Sequence, residues 1–147
     1  MLYLLDSETI ILMLRGLKAP PRQQSRREKA LAIVARCQRA QSEGDSVSVS
    51  AVTVSELEFG ARNSDNYETE IIAVHKTLAP FEVLGYDGQD CPPHYGRIRH
   101  ELEQAGVPIG AMDLLIAAHA LAVSATVVTN NVAHFGRVVG LTVVKWP

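Results

Sequence analysis

A chain of 147 residues, 47% apolar and 20% charged, has enough material for one packed domain, and a fold of that size buries roughly two thirds of its unfolded surface. This composition excludes a disordered, collagenous or coiled-coil chain. Sixteen acids against fourteen bases leave a net charge of −2, so attraction to nucleic acid has to come from a local patch.

Leu2–Leu5 is a short apolar run that stops at Asp6 and predicts a strand. Thr9–Leu14 predicts a helix, closed by Gly16 and Pro20-Pro21. Between Glu28 and Gln41, Ala30, Val34 and Cys37 recur at i, i+4 and i+7, the stripe of an amphipathic helix. Ser46–Val49 alternates polar and apolar as a strand does, and Ser50 suits the N-cap of a helix running to about Gly60. Arg62–Asn66 is polar loop, Tyr67–Leu78 a helix ended by Pro80, and Phe81–Tyr86 a strand that stops at Asp87. Pro92 or Pro93 opens the next helix, which closes near Gly106. Asp113–Val123 is apolar on nearly every face and predicts a buried helix. Thr126–Thr129 and Leu141–Lys145 are β-branched strands on either side of a short segment around His134-Phe135. Strands and helices in alternation predict an α/β fold: one domain over residues 1–147, with a mostly parallel central sheet flanked by helices.

Cys37 and Cys91 lie far apart with no metal-ligand spacing, and Cys37 falls on an apolar stripe as a small core residue. The opening residues lack a basic leader segment, and the later apolar run Leu114–Val123 is too short to span a bilayer. A cytoplasmic protein without membrane contact is the expectation. Charge is uneven: residues 15–45 hold eight bases and three acids. That segment is either a solvated helix face or a surface that contacts phosphate or an acidic partner, and pattern alone leaves these open.

In open parallel sheets, ligands bind beyond the carboxyl ends of the strands. Three predicted strands end there in polar groups, at Asp6, Asp87 and Asn130-Asn131. Glu56 lies on the helix after the second strand, and Asp113 at the mouth of the most apolar helix. Burying an ionised carboxylate against apolar neighbours costs several kcal/mol unless it is compensated. Capping a helix is one compensation, worth about 0.3–1 kcal/mol through the dipole. If Asp6, Glu56 and Asp113 converge, capping is not enough, and the group needs a cation or shared protons. Oxygen-only donors favour Mg²⁺ or Mn²⁺ over Zn²⁺, and such centres direct water at phosphodiesters. Spacing along the chain leaves convergence open.

Leu4-Leu5-Asp6-Ser7, then Val52 to Ala61 around Glu56, then Pro108 to Ala120 around Asp113, then Val128-Thr129-Asn130-Asn131 with His134-Phe135, Gly140-Leu141 and Trp146 form an ordered set. In that order they resemble PIN-domain ribonucleases, and more narrowly the VapC-type toxins of bacterial toxin–antitoxin pairs. The resemblance implies a PIN-like domain that hydrolyses RNA endonucleolytically. It implies Asp6, Glu56 and Asp113 as catalytic residues and as ligands of Mg²⁺ or Mn²⁺. It also implies a cognate antitoxin whose tail blocks the active-site groove, and a homodimer.

Where the family usually reads Asp-Thr-Asn, this chain reads Asp6-Ser7-Glu8. Ser7 keeps the hydroxyl, and Glu8 is expected to face solvent or stand behind the ligands. Asn131 occupies a position where relatives often carry a fourth acid, which implies a single resting ion. Thr129 is expected to support the ligands, and Arg22, Arg26, Arg27 and His134 to contact RNA. His119 is expected to be a satisfied core or interface histidine and Asp87 a helix cap. At most one of Arg97 and Arg99 is expected to reach a groove. The alternative is a catalytically weakened PIN-fold module that binds an antitoxin-like partner, kept open by Glu8 and Asn131.

Overall fold

Leu4 and Leu5 are both fully buried, although neighbouring strand residues point to opposite faces. Their strand must therefore run through the middle of a sheet covered on both sides. The computed structural model, which describes residues 1–146, places it there; Pro147, the last residue of the expected domain, lies outside the described residues. The elements run β1 Leu2–Leu5, α1 Ser7–Leu17, α2 Gln24–Ser42, β2 Ser46–Ser50, α3 Ala51–Arg62, α4 Tyr67–Leu78, β3 Glu82–Leu84, α5 Cys91–Gln104, α6 Ala111–Val123, β4 Thr126–Val128, α7 Val132–Phe135 and β5 Val143–Val144. A 3-10 turn at Pro21–Gln23 precedes α2.

The sheet has the order β3-β2-β1-β4-β5, and every pairing is parallel. Leu5 lies level with Val49 on one side and Val128 on the other. Side-chain alternation divides the interior in two. Tyr3, Leu5, Val47, Val49 and Val128 join α1, α2, α3 and α4 on one face. Leu4 and Val127 join α5, α6 and Phe135 on the other. The last described residue, Trp146, returns to the first face, with its ring 4.9 Å from Tyr3 and beneath the Arg36 guanidinium at 4.6 Å.

Several boundaries differ from expectation for local reasons. The outer strands are shorter than Phe81–Tyr86 and Leu141–Lys145, because each has one neighbour and its ladder ends where that neighbour does. Helix α2 begins before Glu28, in a polar stretch that carries no apolar period. Gly16 does not close α1 but lies inside it. A Cβ built there would collide with Ala30 Cβ and stand 2.7 Å from the Arg26 carbonyl oxygen, both on α2, so Gly16 allows the two helices to approach closely. Cys37 and Cys91 are buried free thiols, and burial pushes the Cys37 thiol up to about 11, which leaves it inert. Among the described residues no helix is long and apolar enough to cross a membrane.

Candidate active site

From β1 the chain builds outward through β2 and β3, whereas β4 and β5 lie on the other side. Strand order therefore reverses between β1 and β4. A crevice opens at the carboxyl ends of strands flanking such a reversal, where parallel sheets bind ligands. Asp6 and Thr129 are the first residues past those two ends.

Asp6 is 2% exposed, and both of its carboxylate oxygens are engaged. Oδ1 accepts the Thr9 N–H at 2.9 Å, so Asp6 caps α1. Oδ2 accepts the Thr129 hydroxyl at 2.5 Å. Thr129 Oγ1 in turn accepts the Asn131 N–H at 2.8 Å, which turns its hydrogen toward Asp6. The Asp6 N–H continues the sheet ladder to the Val128 carbonyl at 3.1 Å. One residue thus serves as helix cap and as site carboxylate.

Ser7 Oγ donates to Glu56 Oε1 at 2.9 Å and lies 2.9 Å from Thr53 Oγ1. A hydroxyl has one hydrogen, so Thr53 donates in the second bond. Thr53 and Glu56 stand at i, i+3 on α3 and share a face. That spacing was the available signal for Thr53, which was not among the expected residues. Ser50 caps α3 by accepting the Val52 N–H at 3.1 Å.

Asp113 lies in the first turn of α6 behind Gly110, which has no side chain to cap the helix. Its carboxyl is held above the ordinary value. Burial is the largest cause, the charge of Asp6 adds to it, and that of Glu56 adds less; His134 acts in the opposite direction. His134 Nδ1 is 3.8 Å from Asp113 Oδ2 and accepts the Asn131 side-chain N–H at 2.7 Å.

The charges of Asp6 and Glu56, which lie far apart in sequence, therefore both reach Asp113. Yet among the described residues no three Asp, Glu, His or Cys side chains are gathered tightly enough to hold an ion alone. A hard cation that keeps several waters and takes one or two protein carboxylates fits what is present. Asp113 carries repulsion that a cation would relieve, and the surrounding groups of Thr129, Ser7 and Glu56 offer oxygen, the donor such ions prefer.

The remaining expected residues are distributed as follows. Glu8 is exposed on α1 and lines a cavity of about 330 Å³ together with Asn130, Arg15, Arg26 and Lys29. Arg26 belongs to that lining, whereas Arg22 and Arg27 do not. Arg22 lies in the 3-10 turn, and Arg27 donates to the Leu17 carbonyl at 3.0 Å. Arg15 and Lys29 take their places through the crossing of α1 over α2, a contact that sequence spacing does not display. Arg97 and Arg99 pair within α5 to Glu101 and Glu103 at 3.1 and 3.0 Å. Asp87 accepts the Gln89 and Asp90 N–H groups at 2.9 and 2.7 Å; those bonds, Asp90's first, hold its carboxyl below the ordinary range. His119 is fully buried, with Nδ1 2.8 Å from Ser50 Oγ, and so joins α6 to the cap of α3. Only that nitrogen is satisfied, since Nε2 is buried without a hydrogen bond. Burial pushes its imidazole below the ordinary value, and the Gly85 backbone partly offsets this.

Compared with known proteins, residues 3–141 match the model of the PIN domain. The chain is 39% identical over 98 residues to the tRNA(fMet)-specific endonuclease VapC of Salmonella typhimurium, covering 67% of this chain and 74% of that protein. It is 34% identical over 146 residues to Ribonuclease VapC1 of Haemophilus influenzae, covering 99% and 98%. The crystal structure of VapBC2 from Rickettsia felis bound to a DNA fragment from their promoter superposes with a TM-score of 0.84 at 28% identity, covering 100% of both chains.

Proposed function

The chain belongs to the PIN-domain family, and from that premise we propose that it is a divalent-cation-dependent endoribonuclease, the toxin of a type II toxin–antitoxin pair. The observation that carries this reading is the carboxylate group at the strand-order reversal. Asp6 is buried and held at both oxygens, and its charge, with that of Glu56, bears on half-buried Asp113.

In this reading Asp6 and Asp113 hold Mg²⁺ or Mn²⁺ with water in the other positions, and Glu56 stands just outside. Bound there, the ion would supply a Lewis acid against a phosphoryl oxygen and lower the pKa of a neighbouring water. Thr129 fixes the rotamer of Asp6, and Ser7 fixes that of Glu56. Because Ser7 occupies Oε1, Glu56 keeps Oε2 to orient the attacking water. Asn131 holds His134 beside Asp113, where the imidazole faces the incoming phosphate.

One relative is named a ribonuclease and another a tRNA(fMet)-specific endonuclease, which makes initiator tRNA the first substrate to test. The structural neighbour is a VapBC complex, so a cognate antitoxin is the proposed protein partner, and a homodimer the proposed toxin assembly. The test is incubation of labelled initiator tRNA with the protein in Mg²⁺ or Mn²⁺, with EDTA, and with Asp113→Asn. Discrete cleavage by the wild type alone supports the reading. Cleavage that persists in EDTA or in the variant sinks the cation role. An intact RNA with a bound antitoxin favours the weakened interaction module.

A further inference from the structure

We propose that the groove between α1 and the N-terminal half of α2 is a nucleotide subsite, which holds the phosphate and base of single-stranded RNA adjoining the bond to be cut. The proposal rests on the ribonuclease reading of the neighbouring crevice. Glu8, Ile11, Leu12 and Arg15 fall at i, i+3, i+4 and i+7, one face of α1, and line the groove together with Arg26 and Lys29 from α2. The groove begins at the active site. Glu8 is two residues past Asp6, and Asn130, also in the lining, follows the threonine that bonds Asp6. Arg15 is seven residues along the helix from Glu8, about 10 Å at the usual rise.

The groove gathers three bases, Arg15, Arg26 and Lys29, against one acid, Glu8. Lys18, Arg39, Arg97 and Arg99 each pair with a carboxylate. Among the described residues Arg15, Arg26 and Lys29 pair with none. Arg26 makes only a 3.5 Å contact to the amide oxygen of Gln23. A chain of net charge −2 thus places three cations and a single acid, Glu8, around one cavity of about 330 Å³, which is at the lower end of ligand-pocket sizes. Gly16 sets their spacing, because its missing side chain lets the Arg26 backbone close onto α1.

RNA fits this lining better than an acidic peptide does. Half-buried Ile11 and Leu12 offer an apolar floor for the face of a base. Glu8 at the catalytic end is a hydrogen-bond acceptor for a ribose 2′-OH or a base amino group, donors that an Asp/Glu side chain lacks. Phosphate contacts position a nucleic acid without reading its sequence, and here they would set the strand against Asp6 and Asp113.

The test measures anisotropy of a labelled ten-nucleotide single-stranded RNA against salt, in EDTA so that nothing is cut. The proteins are wild type, the triple variant R15Q/R26Q/K29Q, and the charge-keeping R15K/R26K. The triple variant should bind at least tenfold more weakly, with a log Kd–log salt slope flatter by about 0.7 for each phosphate released. R15K/R26K should retain the wild-type slope. Wild-type affinity and slope in the triple variant would overturn the proposal, as would displacement of the RNA by an equally charged Asp/Glu peptide that binds more tightly. Cleavage by the wild type in Mn²⁺ is scored separately. Loss of slope without any cleavage retains the subsite and removes the ribonuclease reading; EDTA-sensitive cleavage with an unchanged slope does the reverse.

Discussion

Gly16→Ala sets two effects of opposite sign against each other. In a helix interior, alanine is ordinarily better than glycine by about 1 kcal/mol. At Gly16 the added Cβ would collide with Ala30 Cβ and stand 2.7 Å from the Arg26 carbonyl oxygen. A backbone carbonyl cannot rotate out of the way, so α1 and α2 must separate or bend. Forcing an extra carbon into a packed contact costs about 1–3 kcal/mol, and the backbone collision places this case in the upper part of that range. The net expectation is a loss of about 1–2 kcal/mol, or a Tm lower by roughly 2–8 °C for a domain near 150 residues. Thermal unfolding by circular dichroism and urea titration measure it, with the midpoint falling and the m-value unchanged. Adding Ala30→Gly removes the side-chain collision but not the carbonyl one, and should recover only part of the loss. A Gly16→Ala protein as stable as wild type, or more so, would refute the close crossing, and with it the placement of Arg26 beside Arg15.

Three further outcomes are expected. Asp113→Asn should be more stable than wild type at neutral pH in EDTA. The folded carboxyl of Asp113 lies above its ordinary value, so the unfolded chain releases that proton first and wild-type stability declines as pH rises through the interval; the variant should lack that decline when Tm is followed against pH. It should also lose the stabilisation by Mn²⁺, which at a hundred times Kd is about 2.7 kcal/mol, and an unchanged response would argue against Asp113 as a ligand. Asp6→Ala should cost about the 0.5–2 kcal/mol of a lost N-cap, whereas Asp6→Asn keeps an acceptor for the Thr9 N–H and should unfold at a higher temperature than Asp6→Ala while remaining inactive. His119 is held below its ordinary value by burial, so the unfolded chain protonates first and stability falls as pH drops below about 6.5. His119→Gln should remove that part of the pH slope, and identical slopes in the two proteins would contradict a buried neutral imidazole.

What was legible in the chain followed from local chemistry. An apolar run broken by one acid marks both the end of β1 and a site residue, because the end of a central parallel strand is where such a sheet opens. Ser50 announces its helix through a capping side chain, whereas the cap supplied by Asn66 falls in a polar stretch that reads as loop, and alternation of elements was enough for a parallel sheet. Glu56 and Asp113 needed the family resemblance, since neither spacing nor hydropathy connects residues so far apart. Gly16 was misread as a terminator because its reason lies on another helix. The same crossing hid the meeting of Arg15 with Arg26 and Lys29. Fixed boundaries for β3 and β5 were not available, because the ladder of an edge strand is limited by its partner.

Asp6 is completed by Thr129, and β1 completes its central position only when β4 pairs with it. The two sides of the crevice are thus 123 residues apart along the chain, and the second exists only once β4 has been made and has paired with β1. A nascent chain that has not reached β4 carries Asp6 as the cap of α1 without the hydroxyl that engages its second oxygen. A message broken before the codons for β4 yields a product without that side of the crevice.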